Sequence, residues 1–138
     1  VLTRWGFREI FEKRACAIVQ PDVSHCGGIS EARRIAAMAE TYLMSVACHN
    51  PQGPISTAAS LHVAFATPNY LIQEVVRNDV PWRDDVVTPA LDVSRGVTGA
   101  PSGPGLGIEI DEQEAAKHPF QPEVTMPCFR RDGSVADW

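Results

Sequence analysis

Residues 16–49, CAIVQPDVSHCGGISEARRIAAMAETYLMSVACH, are the stretch that decides the architecture. They open with a short apolar run, CAIVQPD (16–22), which is closed by Pro21 and predicts a fully buried strand. The loop SHCGG (24–28) follows. Ser30 is then a candidate N-cap for a helix over EARRIAAMAETYLM (31–44), with Ile35, Met38, Ala39 and Leu43 as its buried stripe. A second buried strand, MSVACH (44–49), ends on His49.

The same rhythm extends outward in both directions. Upstream, FREIFEKRA (7–15) places Phe7, Ile10 and Phe11 on one helical face. Downstream, the turn NPQGP leads into ISTAASLHVAFA (55–66), a helix of small residues suited to close packing on a sheet. Thr67-Pro68 stops it, and YLIQEVV (70–76) predicts a third short strand. Strands alternating with helices specify a parallel sheet.

Each strand also delivers one ionisable residue near its C-terminal end. Asp22, His49 and Glu74 are separated by 27 and 25 residues, a structural period without a sequence repeat. In a TIM-type barrel such ends converge on one mouth, whereas in an open doubly wound sheet they line up along an edge. Short strands and near-even units favour the barrel, although three strands cannot close one.

Beyond Arg77 the character changes, so the expected division is 1–76 for the βα units and 77–138 for an irregular tail. Pro81, Pro89, Pro101 and Pro104 with several glycines predict an excursion over the surface for residues 77–110. GLGIEI (105–110) reads as a strand there. Asp111 and Glu114 form a D-x-x-E start for a helix over EQEAAKH (112–118). Asp132-Gly133 within CFRRDGSVADW (128–138) signals a hairpin.

Composition narrows the partners. The chain has 138 residues, 44% of them hydrophobic and 21% charged, with net charge −5 and no basic run. Nucleic acid and anionic membrane are therefore not expected partners. Neither a signal peptide nor a run long enough to span a bilayer is visible, which predicts a cytoplasmic protein. Of the scattered cysteines Cys16, Cys26, Cys48 and Cys128, three lie in apolar surroundings and read as buried free thiols, since the spacings give a zinc site little support.

The blocks QPDVSHCGGISEARRIAAMAE (20–40), HNPQGP (49–54), PNYLIQE (68–74) and GPGLGIEID (103–111) together resemble the enolase superfamily. The resemblance is to the mandelate racemase/muconate lactonizing enzyme branch, galactonate dehydratases in particular, and it runs over essentially the whole chain. It implies an α/β fold: the C-terminal portion of a modified TIM barrel, about three βα units plus a tail that packs on the barrel and on a capping domain missing here. CAIVQPD, MSVACH and YLIQE would be its sixth, seventh and eighth strands. The family's Mg²⁺ ligands, on the third to fifth strands, would lie upstream of Val1, as would a second acid–base histidine.

The reaction so implied is abstraction of the proton α to a sugar-acid carboxylate, then loss of the β-hydroxyl to give a 2-keto-3-deoxy acid. Such a proton is very weakly acidic, so the enediolate must be stabilised electrostatically; the superfamily's chemistry pairs a Lys or His base with Mg²⁺ for that purpose. By the resemblance His49 is the base and Asp22 its orienting partner, while Glu74 and His49 contact the substrate. Bland alternatives exist for each: a strand-end histidine, an Asx-turn aspartate and a solvated glutamate. His25, His62 and His118 read as structural, and Trp82 as a cover for the barrel edge. The parent is expected to be a homo-oligomeric lyase acting on a small sugar acid, with the 138 residues alone inactive. A racemase or epimerase of the same superfamily, and a non-catalytic α/β binding protein, are the competing readings.

Overall fold

In the computed structural model, residues 1–77, 79–93, 95–122 and 129–134 are described. The first element, α1 (Thr3–Glu12), starts four residues ahead of the predicted FREIFEKRA segment. No local side chain caps it. Its early N–H is satisfied from a distance instead: Arg4 donates its backbone N–H to Glu31 Oε1 at 2.8 Å, and its guanidinium pairs with the other carboxylate oxygen. Phe7 and Phe11 are buried as their spacing requires, and Phe11 stacks on Tyr42 with ring centroids 5.8 Å apart.

Two short strands, β1 (Ile18–Val19) and β2 (Ser45–Val46), pair in parallel with Val19 opposite Val46. The connecting helix α2 (Gly28–Thr41) packs against α1 and buries Ala32, Ile35, Ala36 and Ala39. Its N-cap is Gly27, not Ser30. Gly27 and Gly28 hold φ of 112° and 85°, the left-handed region that glycine enters without a Cβ penalty, and this carries the chain into the helix earlier than Ser30 would.

Leu43, expected in the buried stripe, is 92% exposed. The helix ends at Thr41, and Leu43 takes φ 60° just past it. Leu43 N–H then bonds Glu40 O and Met44 N–H bonds Ala39 O, both at 3.0 Å, a Schellman closure that turns the leucine outward and buries Met44.

The next helix, α3 (Pro54–Phe65), begins on Pro54, whose missing N–H costs nothing at that position. It buries small side chains, including Ser56, Ala58 and Ser60, and packs on α2. The third predicted strand is reduced to one parallel bridge between Val46 and Tyr70. The cause lies in the hydrogen bonds of residues 46–50. Val46 N–H donates to Asn69 O, but the next two N–H groups on that side take side-chain acceptors: Cys48 to Tyr70 Oη at 3.1 Å, and Asn50 to Glu74 Oε2 at 2.7 Å. Side chains replace the carbonyls of a regular ladder.

The segment predicted as irregular contains a strand, β3 (Val87–Thr88), that pairs antiparallel with β4 (Glu109–Ile110). Pro89 directly after it hides so short a strand from pattern reading. Asp111 caps α4 (Glu112–Ala115) by accepting from Gln113 and Glu114 N–H at 3.0 and 2.9 Å. The reciprocal half of the capping box is absent, because Asp111 N–H goes to Val86 O and Glu114 pairs with Lys117. The helix stops short of the predicted His118.

Around Asp132-Gly133 a turn closes with Gly133 N–H on Arg130 O at 2.9 Å, while residues 135–138 of the predicted hairpin lie outside the described residues. Cys128 does so too. Cys26 and Cys48 are buried free thiols, whereas Cys16, in the turn before β1, is exposed. Among the described residues no helix is long and apolar enough to cross a membrane.

Candidate active site

Parallel register builds the site. Asp22 lies three residues beyond Val19, His49 three beyond Val46, and those valines are partners across the sheet. The two side chains therefore emerge level with one another. His49 Nδ1 is 2.9 Å from Asp22 Oδ2, with the aspartate buried and the imidazole half exposed. The Asx-turn reading of Asp22 holds as well, since its Oδ1 accepts the Ser24 N–H at 2.8 Å. One carboxylate does both: one oxygen shapes the loop, and the other faces the histidine.

Two further donors reach the same Oδ2. Gln52 Nε2 donates to it at 2.8 Å, and His25 Nδ1 stands 3.0 Å away. Burial pushes the Asp22 carboxyl up, but the hydrogen bonds from His49, Gln52, His25 and Ser24 overcome it and hold the pKa down to about 2. Asp22 is an anion throughout the neutral range. With a carboxylate on Nδ1, the His49 imidazole carries its proton there and presents a free Nε2.

Glu74 is placed next to this pair without joining it. Its Oε2 accepts the Asn50 N–H, one residue from His49, and its backbone carbonyl accepts Asn50 Nδ2 at 2.9 Å. Asn50 is fully buried and also donates to Thr57 Oγ1 at 2.9 Å, so it ties the end of β2 to α3 and to the Glu74 segment. Arg83, paired with Asp79, donates to Gln52 O at 2.9 Å and fixes the loop that carries the Gln52 amide.

Of the residues singled out in the sequence, Asp22 and His49 come into contact, and Glu74 lies beside them through Asn50. Sequence reasoning left His25 as structural and passed over Asn50, Gln52 and Arg83. The position of Gln52, three residues after His49 in HNPQGP, was the one available signal, and no pattern gives a turn glutamine a role. Trp82 stacks face to face on His118 with centroids 4.1 Å apart, beside a groove that also takes in Gln52 and Ser24.

Residues 1–114 match the family described as enolase C-terminal domain-like. The chain belongs to that family. Among curated relatives, a D-galactonate dehydratase of Ralstonia pickettii (strain 12J) is 39% identical over 146 residues, which cover 100% of this chain and 38% of the relative. A D-galactonate dehydratase family member of Streptomyces bingchenggensis (strain BCW-1) is 39% identical over 138 residues, covering 99% and 33%. The crystal structure of a mandelate racemase/muconate lactonizing enzyme from Sulfitobacter sp. superposes with a TM-score of 0.83 at 37% identity, over 90% of this chain and 31% of that one. The enolase-type chain thus spans about a third of the length of the curated relatives it matches.

The donor set of this enolase-type site does not suit Mg²⁺. That ion demands a near-octahedral shell of oxygens. Asp22 already accepts from Ser24, His49 and Gln52 and has His25 Nδ1 3.0 Å away, Glu74 holds the Asn50 N–H, and the remaining groups at the site are imidazoles and an amide. Among the described residues no three His, Cys, Asp or Glu side chains are grouped to hold a metal ion.

Proposed function

We propose that this chain supplies the base and its orienting carboxylate to a sugar-acid dehydratase of the enolase superfamily. The observation that carries the proposal is the 2.9 Å contact between His49 Nδ1 and Asp22 Oδ2, in a half-exposed setting that leaves Nε2 open. A base for a carbon acid must be unprotonated, fixed in tautomer and stabilised once it takes the proton. Asp22 serves the last two needs directly: it holds the proton on Nδ1, aims Nε2 outward and stabilises the imidazolium.

In this reading His49 Nε2 removes the proton α to the substrate carboxylate, and the C–H electrons pass into an enediolate. The β-hydroxyl then leaves as water, protonated by the second acid–base histidine that the resemblance places outside this chain, and the resulting enol ketonises to a 2-keto-3-deoxy acid. Glu74 Oε2 is occupied by the Asn50 N–H, so Oε1 is the atom left to face an enediolate oxygen, a contact that requires a proton shared between the two. The Mg²⁺ that the family resemblance implies would be held by residues outside this chain. The names of the relatives support the aldonic acids, galactonate first, as the substrate class.

The test is a panel of aldonic acids offered with Mg²⁺ to the full-length protein, read by the appearance of a 2-keto-3-deoxy acid. Turnover of one or more aldonates supports the dehydratase. Inversion at the α-carbon without loss of water would replace it with a racemase or epimerase.

A further inference from the structure

We propose that His25 and Gln52 are positioning residues that weaken His49 as a base, by sharing with it the single oxygen Asp22 Oδ2. This rests on the reading of His49 as the base. Three nitrogens, His49 Nδ1, Gln52 Nε2 and His25 Nδ1, lie 2.9, 2.8 and 3.0 Å from that oxygen. Among the described residues, Oδ1 receives the Ser24 N–H alone. Such crowding is not needed to orient one imidazole, since one carboxylate oxygen and one N–H suffice.

Its effect follows from electrostatics. A carboxylate raises the proton affinity of a neighbouring imidazole by stabilising the cation. Every other donor on the same oxygen draws off part of that stabilisation. The Gln52 amide does so as a neutral dipole. His25 does so as a neutral N–H donor and more strongly as a cation, because a second positive charge on the same carboxylate repels the imidazolium of His49. The sign is the same in both charge states of His25: the pair makes His49 easier to deprotonate. A base relieved of its proton at lower pH is available over a wider range.

The other titratable groups around His49 act less directly. Glu74 reaches it through the Asn50 N–H and Tyr70 through the Cys48 N–H, while Arg83 touches only the Gln52 carbonyl. The Cys26 and Cys48 thiols are buried, and burial pushes both up, Cys26 to about 11, so they are neutral over the working range.

The experiment uses the full-length protein and its variants His25→Ala, His25→Asn and Gln52→Leu. His25 is largely exposed, so its loss should leave the fold intact. The rate at which diethyl pyrocarbonate modifies His49 is followed against pH by peptide mass spectrometry, which titrates His49 without any turnover. In parallel, the acid limb of kcat/KM is measured on the aldonate turned over. The expected result is an upward move of the His49 midpoint by about half to one pH unit in His25→Ala and in Gln52→Leu, the size of one lost hydrogen bond. His25→Asn, which keeps a side-chain N–H near the Nδ1 position, should recover part of the shift. A midpoint that moves while the kcat/KM limb stays put upholds the coupling but removes His49 as the base. Midpoints unchanged or lowered in both His25→Ala and Gln52→Leu overturn the proposal.

Discussion

Replacing Asn50 tests whether a buried amide holds the site together. Its side chain is fully buried and makes two hydrogen bonds, to Thr57 Oγ1 and Glu74 O, each 2.9 Å long. In Asn50→Ala neither partner is wholly orphaned. Thr57 still donates to Gly53 O, and Glu74 O still accepts from Gln73 Nε2. The loss is therefore two ordinary hydrogen bonds plus the void left by the amide. It is offset in part because Asn50 Oδ1, buried without a partner among the described residues, is removed as well. The net cost is about 1–2 kcal/mol. Asn50→Asp is close in shape but should be worse at neutral pH. Thr57 can turn its hydroxyl to donate, but the Glu74 carbonyl has no proton to offer and would face a buried anion. Stability in the full-length protein, read as the urea midpoint, should fall in the order Asn, Ala, Asp at pH 7. The Asp variant should recover relative to Ala as the pH is lowered and its carboxyl takes a proton. A cost below about 0.5 kcal/mol for Asn50→Ala, or an Asp variant as stable as the parent at pH 7, would refute the reasoning.

Two further outcomes are expected. Leu43 sits at φ 60° with 92% of its surface exposed, so Leu43→Gly relieves about 1–2 kcal/mol of left-handed strain and gives back part of it to the freer unfolded chain. A net gain of about 0.5–1 kcal/mol should appear in urea unfolding, and a loss would mean that the leucine makes a contact worth more than its strain. Asp22, held at about 2 against an ordinary 3.8, contributes about 2 kcal/mol that is fully present above pH 4 and lost as the pH falls through 2. The stability gap between the parent and Asp22→Asn should accordingly narrow from pH 7 to pH 2, and a gap independent of pH would contradict the hydrogen-bonded carboxylate.

The helices were legible where local chemistry sets them. Phe7 and Phe11 share a face, α3 follows the NPQGP turn one residue earlier than expected, and Asp111 caps α4, all from neighbours in sequence. What was missed depends on distant partners. The start of α1 is set by Glu31, and Ser30 loses the cap of α2 to the positive φ of Gly27. Leu43 has an apolar side chain on the right face but lies past the point where the helix closes. The third strand fails because Tyr70 Oη and Glu74 Oε2 accept bonds that a ladder would give to carbonyls, which no hydropathy pattern encodes.

The site divides along the same line. Asp22 and His49 could be read from spacing because parallel register turns equal offsets beyond paired residues into spatial contact. His25, Gln52 and Asn50 are ordinary loop residues by type. Only their convergence on Asp22 and Glu74 gives them work, and convergence is a property of the folded chain.

The most direct test of His49 as the base is exchange of the substrate's α-hydrogen in deuterated water, with the full-length protein and its His49→Asn variant compared on the same aldonate. His49→Asn should keep the parental circular dichroism and lose exchange and dehydration together, by about a thousandfold or more. A folded His49→Asn protein that exchanges and dehydrates at the parental rate would contradict the assignment.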